Sequence, residues 1–490
     1  MARDASRRRI RAALGAALAA CLASAGAAEP PSRLTPRLLA RLDEASGGEP
    51  ILAWVYFADH GPATSRGPLA AVSPRALARR ALRGEPGTVA AERGPSPAYL
   101  AAVEASGARP RHLSRWLNAV SVEAGEPALR ALASLPFVAR VDVLRSFARA
   151  PEPPGRPLRE DAARARARAR RQAGGAIDYG GALPQLELIG VPALHDRGLT
   201  GAGVVVAVLD SGFDNLAHEA LAPLRVAAAW DFVNGDPDVG DGTDRGDGSH
   251  GTATLSALAG DRPGELVGPA FGASFLLAKT EDSTREAPIE EDHWAAAIEW
   301  AEAQGADVVS SSLGYLTFDP GFPSYLPSDL NGAVAVTTLA AEAAAERGLL
   351  VVSSAGNGGW AADRNTLNAP ADGPRVLAVG AVDMSGARAG FSSVGPTADG
   401  RIKPDLAAPG VGVKVASSTG PAEYRQANGT SFSCPLTAGA AALLVEENPG
   451  RTLAELLRAL RETARGPRPP DVLLGYGILD AAAASAWRPE

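Results

Sequence analysis

Short apolar runs alternate with helical patterns over the C-terminal two thirds of the chain. Residues 204–209 form a continuous apolar run, which is typical of a strand buried on both faces. Similar runs recur farther along, at residues 275–278, 308–309, 349–352 and 376–379. Helical patterns lie at 293–304 and 337–347, and Gly348 caps the second. This alternation predicts that residues 185–490 form a doubly wound α/β domain, a mostly parallel sheet with helices on both faces.

A smaller α+β domain is predicted to precede it, over residues 29–149. Its strands are indicated by apolar runs at residues 51–57, 116–122 and 137–143. One helix is indicated at 73–83, which begins with Ser-Pro, and another at 127–135, which has Pro in its first turn.

Residues 150–184 are predicted to be a linker that contains a processing site. The segment begins with a Pro-rich stretch and continues with alternating Arg and Ala up to residue 171. Like charges in a row repel each other, and nothing apolar is evident to anchor them. An Arg run could also bind nucleic acid, but its position between two domains favours a protease-accessible linker.

Residues 1–28 are typical of an export signal. Several Arg residues precede a short apolar core at 12–20, and Ala23-Ser24-Ala25 offers a small-residue cleavage site. The segment also resembles a twin-arginine signal weakly, and residues 18–21 resemble a lipobox in which Cys21 would be lipidated. We therefore expect a secreted protein, extracellular or periplasmic, which is attached to a membrane only if Cys21 carries a lipid.

Charge divides the chain into two parts. The formal net charge is −7, but residues 1–171 contain 28 Arg and 15 acidic residues, a net +13, so the remainder carries −20. The acidic total argues against nucleic acid as a partner. The two cysteines, Cys21 and Cys434, are too few for a disulfide scaffold or a four-thiolate metal site.

Two candidate catalytic residues follow from the predicted sheet. Asp210 comes directly after the first apolar run, at the carboxyl end of a parallel strand, where a carboxylate can orient a histidine. His250, in Ser-His-Gly-Thr, precedes a run of small residues. The other five histidines are expected to be solvated or packed rather than to act as bases; they are His60, His112, His195, His218 and His293.

Two further candidates are a serine and an asparagine. Ser431, in Gly-Thr-Ser-Phe-Ser-Cys-Pro, precedes an apolar helix predicted over 436–446, so backbone N–H groups there could bind an oxyanion. Asn357 follows the apolar run at 349–352, and its amide could donate to the same oxyanion. Taken singly, Ser431 is also a common helix cap and Asn357 a common turn residue.

Together these segments resemble the subtilase family of serine endopeptidases. Val-Ala-Val-Leu-Asp210-Ser-Gly is similar to the family's Asp box, His250-Gly-Thr to its His box and Gly-Thr-Ser431-Phe-Ser-Cys-Pro to its Ser box. The order Asp, His, Ser is the one known for subtilisin. The resemblance implies a triad of Asp210, His250 and Ser431 that hydrolyses polypeptides through an acyl-enzyme, with Asn357 in the oxyanion hole.

The resemblance also implies a substrate-binding segment and a removable leader. Ser312-Leu313-Gly314 looks like the edge that pairs with the substrate backbone and walls the side-chain pocket. The N-terminal domain looks like a propeptide, which would assist folding, inhibit the enzyme and be removed by self-processing within 146–186. A permanent accessory domain is the alternative.

The remaining candidate chemistry is weaker. Cys434 could be a nucleophile or a redox switch, but packing as a small hydrophobe is favoured. No cofactor is required for the implied chemistry. Structural Ca²⁺ is a possibility because six aspartates crowd one loop, although a solvated acidic loop is the simpler interpretation; they are Asp231, Asp236, Asp238, Asp241, Asp244 and Asp247.

Two other functions stay open from the sequence. A binding protein built on an inactive member of the family would have lost a catalytic residue, and none is lost here. Transacylation requires only that water be kept from the acyl-enzyme, and the sequence does not exclude it.

Overall fold

A computed structural model describes residues 32–45, 49–61, 72–85, 94–144, 152–153, 160–175, 177–240, 248–282, 289–316 and 325–489. These residues form two packed units, which we name the leader (residues 32–144) and the body (residues 177–489). The predicted export signal and Cys21 lie outside the described residues. No helix among the described residues is long and apolar enough to cross a membrane.

The leader is a four-stranded antiparallel sheet with helices. Its strands are β1 (Ile51–Phe57), β2 (Arg109–Ser114), β3 (Ala119–Ala124) and β4 (Val138–Val143), in the order β2-β3-β1-β4. Its helices are α1 (Pro36–Glu44), α2 (Pro74–Arg83), α3 (Pro97–Ala105) and α4 (Glu126–Ser134). Strand β1 is apolar throughout because its odd-numbered residues enter the leader's own core while Trp54 and Tyr56 pack against the body.

The body contains a seven-stranded parallel sheet. The strands are β5 (Val205–Asp210), β6 (Arg225–Asp231), β9 (Ser274–Lys279), β10 (Val308–Ser311), β11 (Leu350–Ser354), β12 (Leu377–Val382) and β13 (Leu406–Pro409). Their order is β13-β12-β11-β10-β5-β9-β6. After β5 the chain passes to the edge strand β6, returns to β9 beside β5, and then crosses to β10 and continues outward to β13, so the strand order reverses between β5 and β10. Ligands of open α/β sheets bind at the carboxyl ends of the strands beside such a reversal.

Helices cover both faces of this sheet, as the doubly wound prediction requires. The longer ones are α8 (Ser249–Ala259), α9 (Ile289–Gln304), α10 (Val336–Glu346), α11 (Thr430–Glu447) and α12 (Leu453–Glu462). Helices α8 and α11 contribute to the core on one face, and α9 and α10 contribute to the core on the other. The body also contains two short hairpins, β7 (Asp261–Arg262) with β8 (Leu266–Val267) and β14 (Val413–Ala416) with β15 (Tyr424–Ala427). Its shorter helices among the described residues are α6 (Leu183–Glu187), α7 (Val191–His195), α13 (Ala481–Ala486) and a 3₁₀ turn at Pro327–Asp329.

One predicted strand of the leader is displaced. The sequence predicts a strand over 116–122, whereas β3 begins only at Ala119. Residues 115–118 form the turn from β2 to β3, and Asn118 has a φ of 47°, which is incompatible with a strand. Trp116 does not enter the sheet; instead, the Arg347 guanidinium packs over its ring. The apolar pair Trp116-Leu117 therefore belongs to a turn that contacts the body, rather than to a strand.

The prediction that nothing apolar anchors the arginine-rich segment is wrong. Residues Glu160–Gln172 form helix α5, which packs on the body and which we call the Arg helix. Ala163 and Ala167 lie buried on its inner face. Arg164 donates to the Glu265 carboxylate and Arg170 to that of Asp196, so acidic residues of the body neutralise the repelling charges. The two alanines are spaced about one helical turn apart and together supply the apolar contact with the body, which composition alone does not show.

Candidate active site

The candidate residues converge on the carboxyl edge of the parallel sheet. Asp210 is the last residue of β5, Ser312 directly follows β10, and Asn357 lies three residues beyond β11. Strands β5, β10 and β11 are adjacent in the sheet. Parallel strands present their carboxyl ends at the same edge, so residues about 150 positions apart in the chain meet there.

Asp210 and His250 form a close pair. Nδ1 of His250 lies 2.7 Å from Oδ1 of Asp210, whose side chain is fully buried, whereas the His250 side chain remains 15% exposed. The Thr254 hydroxyl donates to the other carboxylate oxygen at 2.8 Å, and the N–H of Ser211 donates to Oδ1 at 2.8 Å. A carboxylate held in this way fixes the imidazole with Nε2 directed away from it.

Glycines allow the strand and the helix to approach each other. Gly251 follows His250 in α8, and a β-carbon at Gly251 would lie 2.1 Å from the carbonyl oxygen of Gly212. Gly212 has a φ of 131°, which favours glycine. The small residues beside Asp210 and His250 therefore have a steric role, because larger ones would separate the carboxylate from the imidazole.

Ser431 lies in the first turn of α11, a helix that begins earlier than predicted. The residue is 9% exposed, and the neighbouring Phe432 ring lies 5.9 Å from the His250 ring between centroids. Backbone N–H groups in a first turn have no partner within the helix, so the N–H of Ser431 is suited to bind an anion.

Pro435 explains how the helix and the predicted substrate segment are joined. It lacks the N–H that would otherwise bond to the carbonyl of Ser431, four residues earlier. The Ser312 hydroxyl donates to that carbonyl instead, at 2.7 Å, and the Ser431 hydroxyl donates to the Ser312 carbonyl at 3.3 Å. The two segments are therefore fixed to each other by a reciprocal pair of hydrogen bonds.

Asn357 is oriented by Thr430. Its Oδ1 accepts hydrogen bonds from the backbone N–H and the hydroxyl of Thr430, both at 3.0 Å. The amide nitrogen is thereby turned toward Gly429: a β-carbon built there would lie 3.5 Å from Nδ2 of Asn357 and 3.6 Å from the backbone nitrogen of Ser431. Two N–H donors thus border one small space beside the Ser431 hydroxyl, an arrangement suited to an oxyanion.

One residue of this region, Asn368, was not predicted from the sequence. Its backbone N–H donates to Ala355 at 3.2 Å, and its neighbour Ala369 pairs with Tyr315 as an isolated antiparallel bridge. A β-carbon at Gly314 would lie 2.6 Å from its Nδ2, and one at Gly356 would lie 2.7 Å from its Oδ1. The Asn368 amide therefore fills the space between the segments at 312–314 and 355–357.

Cys434 lies beneath the site. It is fully buried, and Sγ contacts the carbonyl oxygens of Ser311 and Val352 at 3.4 and 3.3 Å. Burial raises the pKa of its thiol to about 12. A thiol that is protonated and enclosed between two strands is a packing residue, as expected, and is poorly suited to be a nucleophile.

Other histidines of the body have packed positions away from the pair. His195 lies between the Tyr179 hydroxyl and the Pro269 carbonyl, both at 2.8 Å, and burial lowers its pKa to about 4. His218 contacts the Glu423 carbonyl at 2.8 Å, and His293 contacts the carbonyl of Thr280 at 3.2 Å. His250 is the one that the fold brings to Asp210.

The acidic loop does not form a metal site within the described residues, where no group of three potential ligands is found. Asp231 is paired with Lys279 at 3.1 Å, and Asp236 and Asp238 accept hydrogen bonds from the backbone of their own turns. Asp241, Asp244 and Asp247 lie outside the described residues. Structural calcium, the less favoured of the two interpretations of this loop, stays a prediction.

Two residues between leader and body reach the site. The Glu152 carboxylate accepts from the backbone N–H of Asn428 at 2.7 Å and pairs with Arg425 at 2.8 Å. The Cδ of Pro153 lies 3.7 Å from the β-carbon position built on Gly429, which is the small space that Nδ2 of Asn357 and the N–H of Ser431 border. The sequence offers no local signal for these contacts.

Comparisons with known proteins agree with this geometry. The model of the Subtilase family, Peptidase S8, matches residues 201–477, which is more than half of the chain. The Peptidase S8 propeptide domain of Bacteroidota matches residues 52–157. Subtilisin BL of Lederbergia lenta is 34% identical over 295 residues, covering 60% of this chain and 95% of the relative. Subtilisin NAT of Bacillus subtilis subsp. natto is 34% identical over 292 residues, 59% of this chain and 68% of that protein.

A solved structure extends the fold comparison to the leader. Fervidolysin from Fervidobacterium pennivorans, described as a keratinolytic enzyme related to subtilisin, is similar with a TM-score of 0.63 and 21% identity. The match covers 91% of this chain and 62% of fervidolysin, so the chain spans less than two thirds of that protein. At this identity the similarity concerns the fold alone.

Proposed function

The chain belongs to the subtilase family, as a subtilisin-type serine endopeptidase with a propeptide domain, and we propose that Asp210, His250 and Ser431 are its catalytic triad. The observation that carries the proposal is the 2.7 Å contact between His250 and Asp210 beside the helix end that presents Ser431. The alternative of an inactive binding protein is set aside, because the family and the relatives are those of an endopeptidase.

In the proposed mechanism, the Ser431 hydroxyl attacks the carbonyl carbon of the peptide bond. His250 accepts the hydroxyl proton and then gives it to the leaving amine, while Asp210 orients the imidazole and stabilises its cation. The oxygen that becomes negative would accept hydrogen bonds from Nδ2 of Asn357 and the backbone N–H of Ser431. Water then hydrolyses the acyl-enzyme, and no cofactor takes part.

A fluorophosphonate probe tests the triad directly, because it labels an activated serine. We expect label on Ser431 of the processed protein, loss of label in Ser431→Ala and strongly slowed labelling in His250→Ala. A Ser433→Ala variant is the matched control, because Ser433 donates to the carbonyls of Ala408 and Pro409 rather than facing His250. Equal labelling of wild type and Ser431→Ala would overturn the assignment.

The substrate-binding segment is proposed to be Ser312-Leu313-Gly314. It continues β10 at the edge of the site, and its backbone is fixed by Ser431 on one side and by the Ser354 hydroxyl on the other, which donates to the Leu313 carbonyl at 3.3 Å. An extended polypeptide could pair with this backbone, and the side chain before the scissile bond would then enter the space toward Asn368.

The leader is proposed to act as an intramolecular inhibitor that the enzyme removes itself. Leu144, directly after β4, belongs to the same hydrophobic cluster as Leu313, whereas Glu152 is bound to Asn428, three residues before Ser431. The seven intervening residues must connect these two points. We therefore propose that processing falls between Leu144 and Glu152, at or just before the start of the range 146–186 that the sequence predicts.

Mass spectrometry of the purified protein tests self-processing. Wild type is expected to separate into a leader fragment and a body fragment whose N-terminus lies at residues 145–152, whereas Ser431→Ala stays intact. A body that begins after residue 172 would contradict the proposed site, and processing of Ser431→Ala in the same host would show that another protease does the cutting.

Export is proposed from residues 1–28, with Cys21 as the residue that a lipid would attach to a membrane. N-terminal sequencing of precursor held as Ser431→Ala distinguishes cleavage after Ala25 from cleavage before Cys21. A lipidated product would also incorporate labelled palmitate, and a Cys21→Ala variant would lose that label. Retention of residues 1–28 in the released protein would contradict the signal.

A further inference from the structure

Asp292 is a fully buried carboxylate that the proposed mechanism does not use. It lies near the start of α9 in the body, at 0% exposure, beneath the leader sheet. Neither of its carboxylate oxygens has a hydrogen-bond partner among the described residues. An ionised carboxylate in such a position is costly unless it is paired, so its surroundings decide which form it takes.

The leader sheet covers this carboxylate. Trp54 of β1 and Ser121 of β3 are directly opposite each other in the sheet and both face Asp292. The Trp54 indole N–H is likewise buried without a hydrogen-bond partner among the described residues. Among the described residues, the cation recorded within ion-pair distance is Arg111 of β2, whose Nε lies 3.8 Å from Oδ2 of Asp292. Arg111 also lies 3.8 Å from the Glu123 carboxylate, so its charge is shared.

Other titratable groups nearby supply little compensation. His112 of β2 and His293 of α9 contact each other edge to face at 5.2 Å, and burial lowers the pKa of His112 to about 4, which leaves it neutral. On α9, Glu290 and Glu291 are buried and add negative charge to the same helix. Glu299, about two helical turns farther along α9, accepts hydrogen bonds from the Ser114 hydroxyl and from the backbone N–H of Arg115.

We propose that Asp292 is a proton-dependent latch of the leader, which holds the leader firmly when its carboxyl is protonated and releases it more readily when the carboxyl ionises. The proposal rests on the leader being a removable inhibitor. It predicts that latency is kept in mildly acidic surroundings and lost faster in neutral or alkaline ones.

The direction follows from burial. Burial beneath the leader raises the pKa of Asp292 to about 7, against an ordinary value of about 3.9 once the leader has left. At a pH between these two pKa values, binding of the leader takes up a proton. The affinity of the leader for the body therefore falls as the pH rises and levels off above about pH 7. Below about pH 6.5, His112 has the opposite effect on leader affinity, because its pKa is lower in the complex than in the free leader. The contribution of Asp292 therefore has to be isolated with a variant.

The test compares wild type with Asp292→Asn, an uncharged isostere of the protonated acid. Processed complexes are held at pH 5, 6, 7, 8 and 8.5, and the leader fragment that remains with the body is measured over time after size-exclusion chromatography. We expect release from wild type to be at least tenfold faster than from Asp292→Asn at pH 8.5, and the two rates to agree within about twofold at pH 5. Because His112 is present in both proteins, its effect cancels in the ratio.

One further variant and one further measurement distinguish failure of the latch from misfolding and from a loss of catalysis. Asp292→Ala also lacks the titrating group and replaces Asp292→Asn if that variant does not fold. Released bodies should cleave a peptide substrate equally, since Asp292 touches no reacting atom. A rate ratio that does not change with pH would overturn the latch. A leader that stays bound at every pH in both proteins, with no gain of activity, would overturn the proposed function itself.

Discussion

The backbone N–H of Asn428 donates to the Glu152 carboxylate at 2.7 Å, which fixes the chain after the leader to the loop that carries Ser431. The Arg helix begins only eight residues later and lies on the body, where Lys414 contacts the Glu160 carboxylate. A cut before Glu152 would leave this helix attached to the enzyme. The Arg helix is therefore expected to be part of the mature protein rather than of the discarded leader.

The first prediction concerns that helix. Ala167→Glu would place a charge on its buried inner face, which costs about 1–3 kcal/mol for an unpaired polar group and more for a charge. We expect the melting temperature of the processed enzyme to fall by several degrees. Ala165→Glu is the matched control, because residue 165 is exposed and the change should alter stability by less than about 0.5 kcal/mol. Equal melting temperatures for both variants would argue that the helix leaves with the leader.

The second prediction concerns the oxyanion. Asn357→Ala removes a side-chain donor while leaving the backbone of the segment in place. By the magnitude measured for one oxyanion-hole donor, kcat should fall by about 10²–10³ with KM little changed. Steady-state kinetics on a chromogenic peptide check this, with Asn365→Ala as a control because its amide binds the Pro327 carbonyl away from Ser431. A rise in KM at unchanged kcat would assign Asn357 to ground-state binding instead.

The third prediction concerns specificity. Asn368 fills the space between Gly314 and Gly356, so Asn368→Gly should deepen the pocket and favour larger apolar side chains before the scissile bond. Asn368→Asp should favour Lys or Arg at the same position. We expect ratios of kcat/KM between matched peptides to change by about 10–100-fold, the range for one contact in a pocket. Peptides that differ only in that residue provide the measurement, and unchanged ratios in both variants would place the pocket elsewhere.

The sequence predicted the parts of the site that are set locally. Asp210 could be placed because a strand buried on both faces ends where its apolar run ends, and parallel strands share their carboxyl edge. Thr254 was overlooked, although its position four residues after His250 puts both on one helical face, so a local signal existed. Its hydrogen bond to Asp210 is the kind of contact that helical spacing alone could have indicated.

Contacts between distant segments could not be predicted. Asn368 reaches the site through a bridge between Ala369 and Tyr315, which no periodicity encodes. The sequence alone indicates an unanchored linker here, because the acidic residues that neutralise the Arg helix are distant in the chain: Asp196 is 26 positions from Arg170, and Glu265 is 101 positions from Arg164. Composition shows a repelling charge run, and only the fold shows what lies opposite.

The fourth prediction concerns Cys434. Because burial raises the pKa of its thiol to about 12, native enzyme should resist iodoacetamide at pH 8 and keep full activity. Denatured enzyme should be alkylated at this position. Cys434→Ala should retain the same fluorophosphonate labelling of Ser431 while losing some stability, since a fully buried side chain is shortened. Inhibition of the native protein by iodoacetamide would contradict a packing role.

The fifth prediction concerns the ion pairs between leader and body. Glu302 of α9 is fully buried between Arg79 and Arg80 of α2, with Nε of Arg80 at 2.9 Å from its carboxylate. Glu302→Gln removes the negative charge and leaves two buried guanidinium groups without it. Breaking a buried pair in this way costs about 3–5 kcal/mol, so the leader should be released far faster after processing and latency should be shortened.

Glu85→Gln is the comparison for this variant. Glu85 of the leader pairs with Arg375 of the body, but its side chain is 59% exposed, so the pair should contribute no more than about 1 kcal/mol. Leader release measured by size-exclusion chromatography should therefore be accelerated strongly in Glu302→Gln and little in Glu85→Gln. Added salt should accelerate release from Glu302→Gln, which keeps the exposed pair, more than from Glu85→Gln, which lacks it, because salt screens exposed charges more than buried ones. Equal release from both variants would mean that apolar contacts, such as those of Trp54 and Tyr56, hold the leader and that the buried charges contribute little.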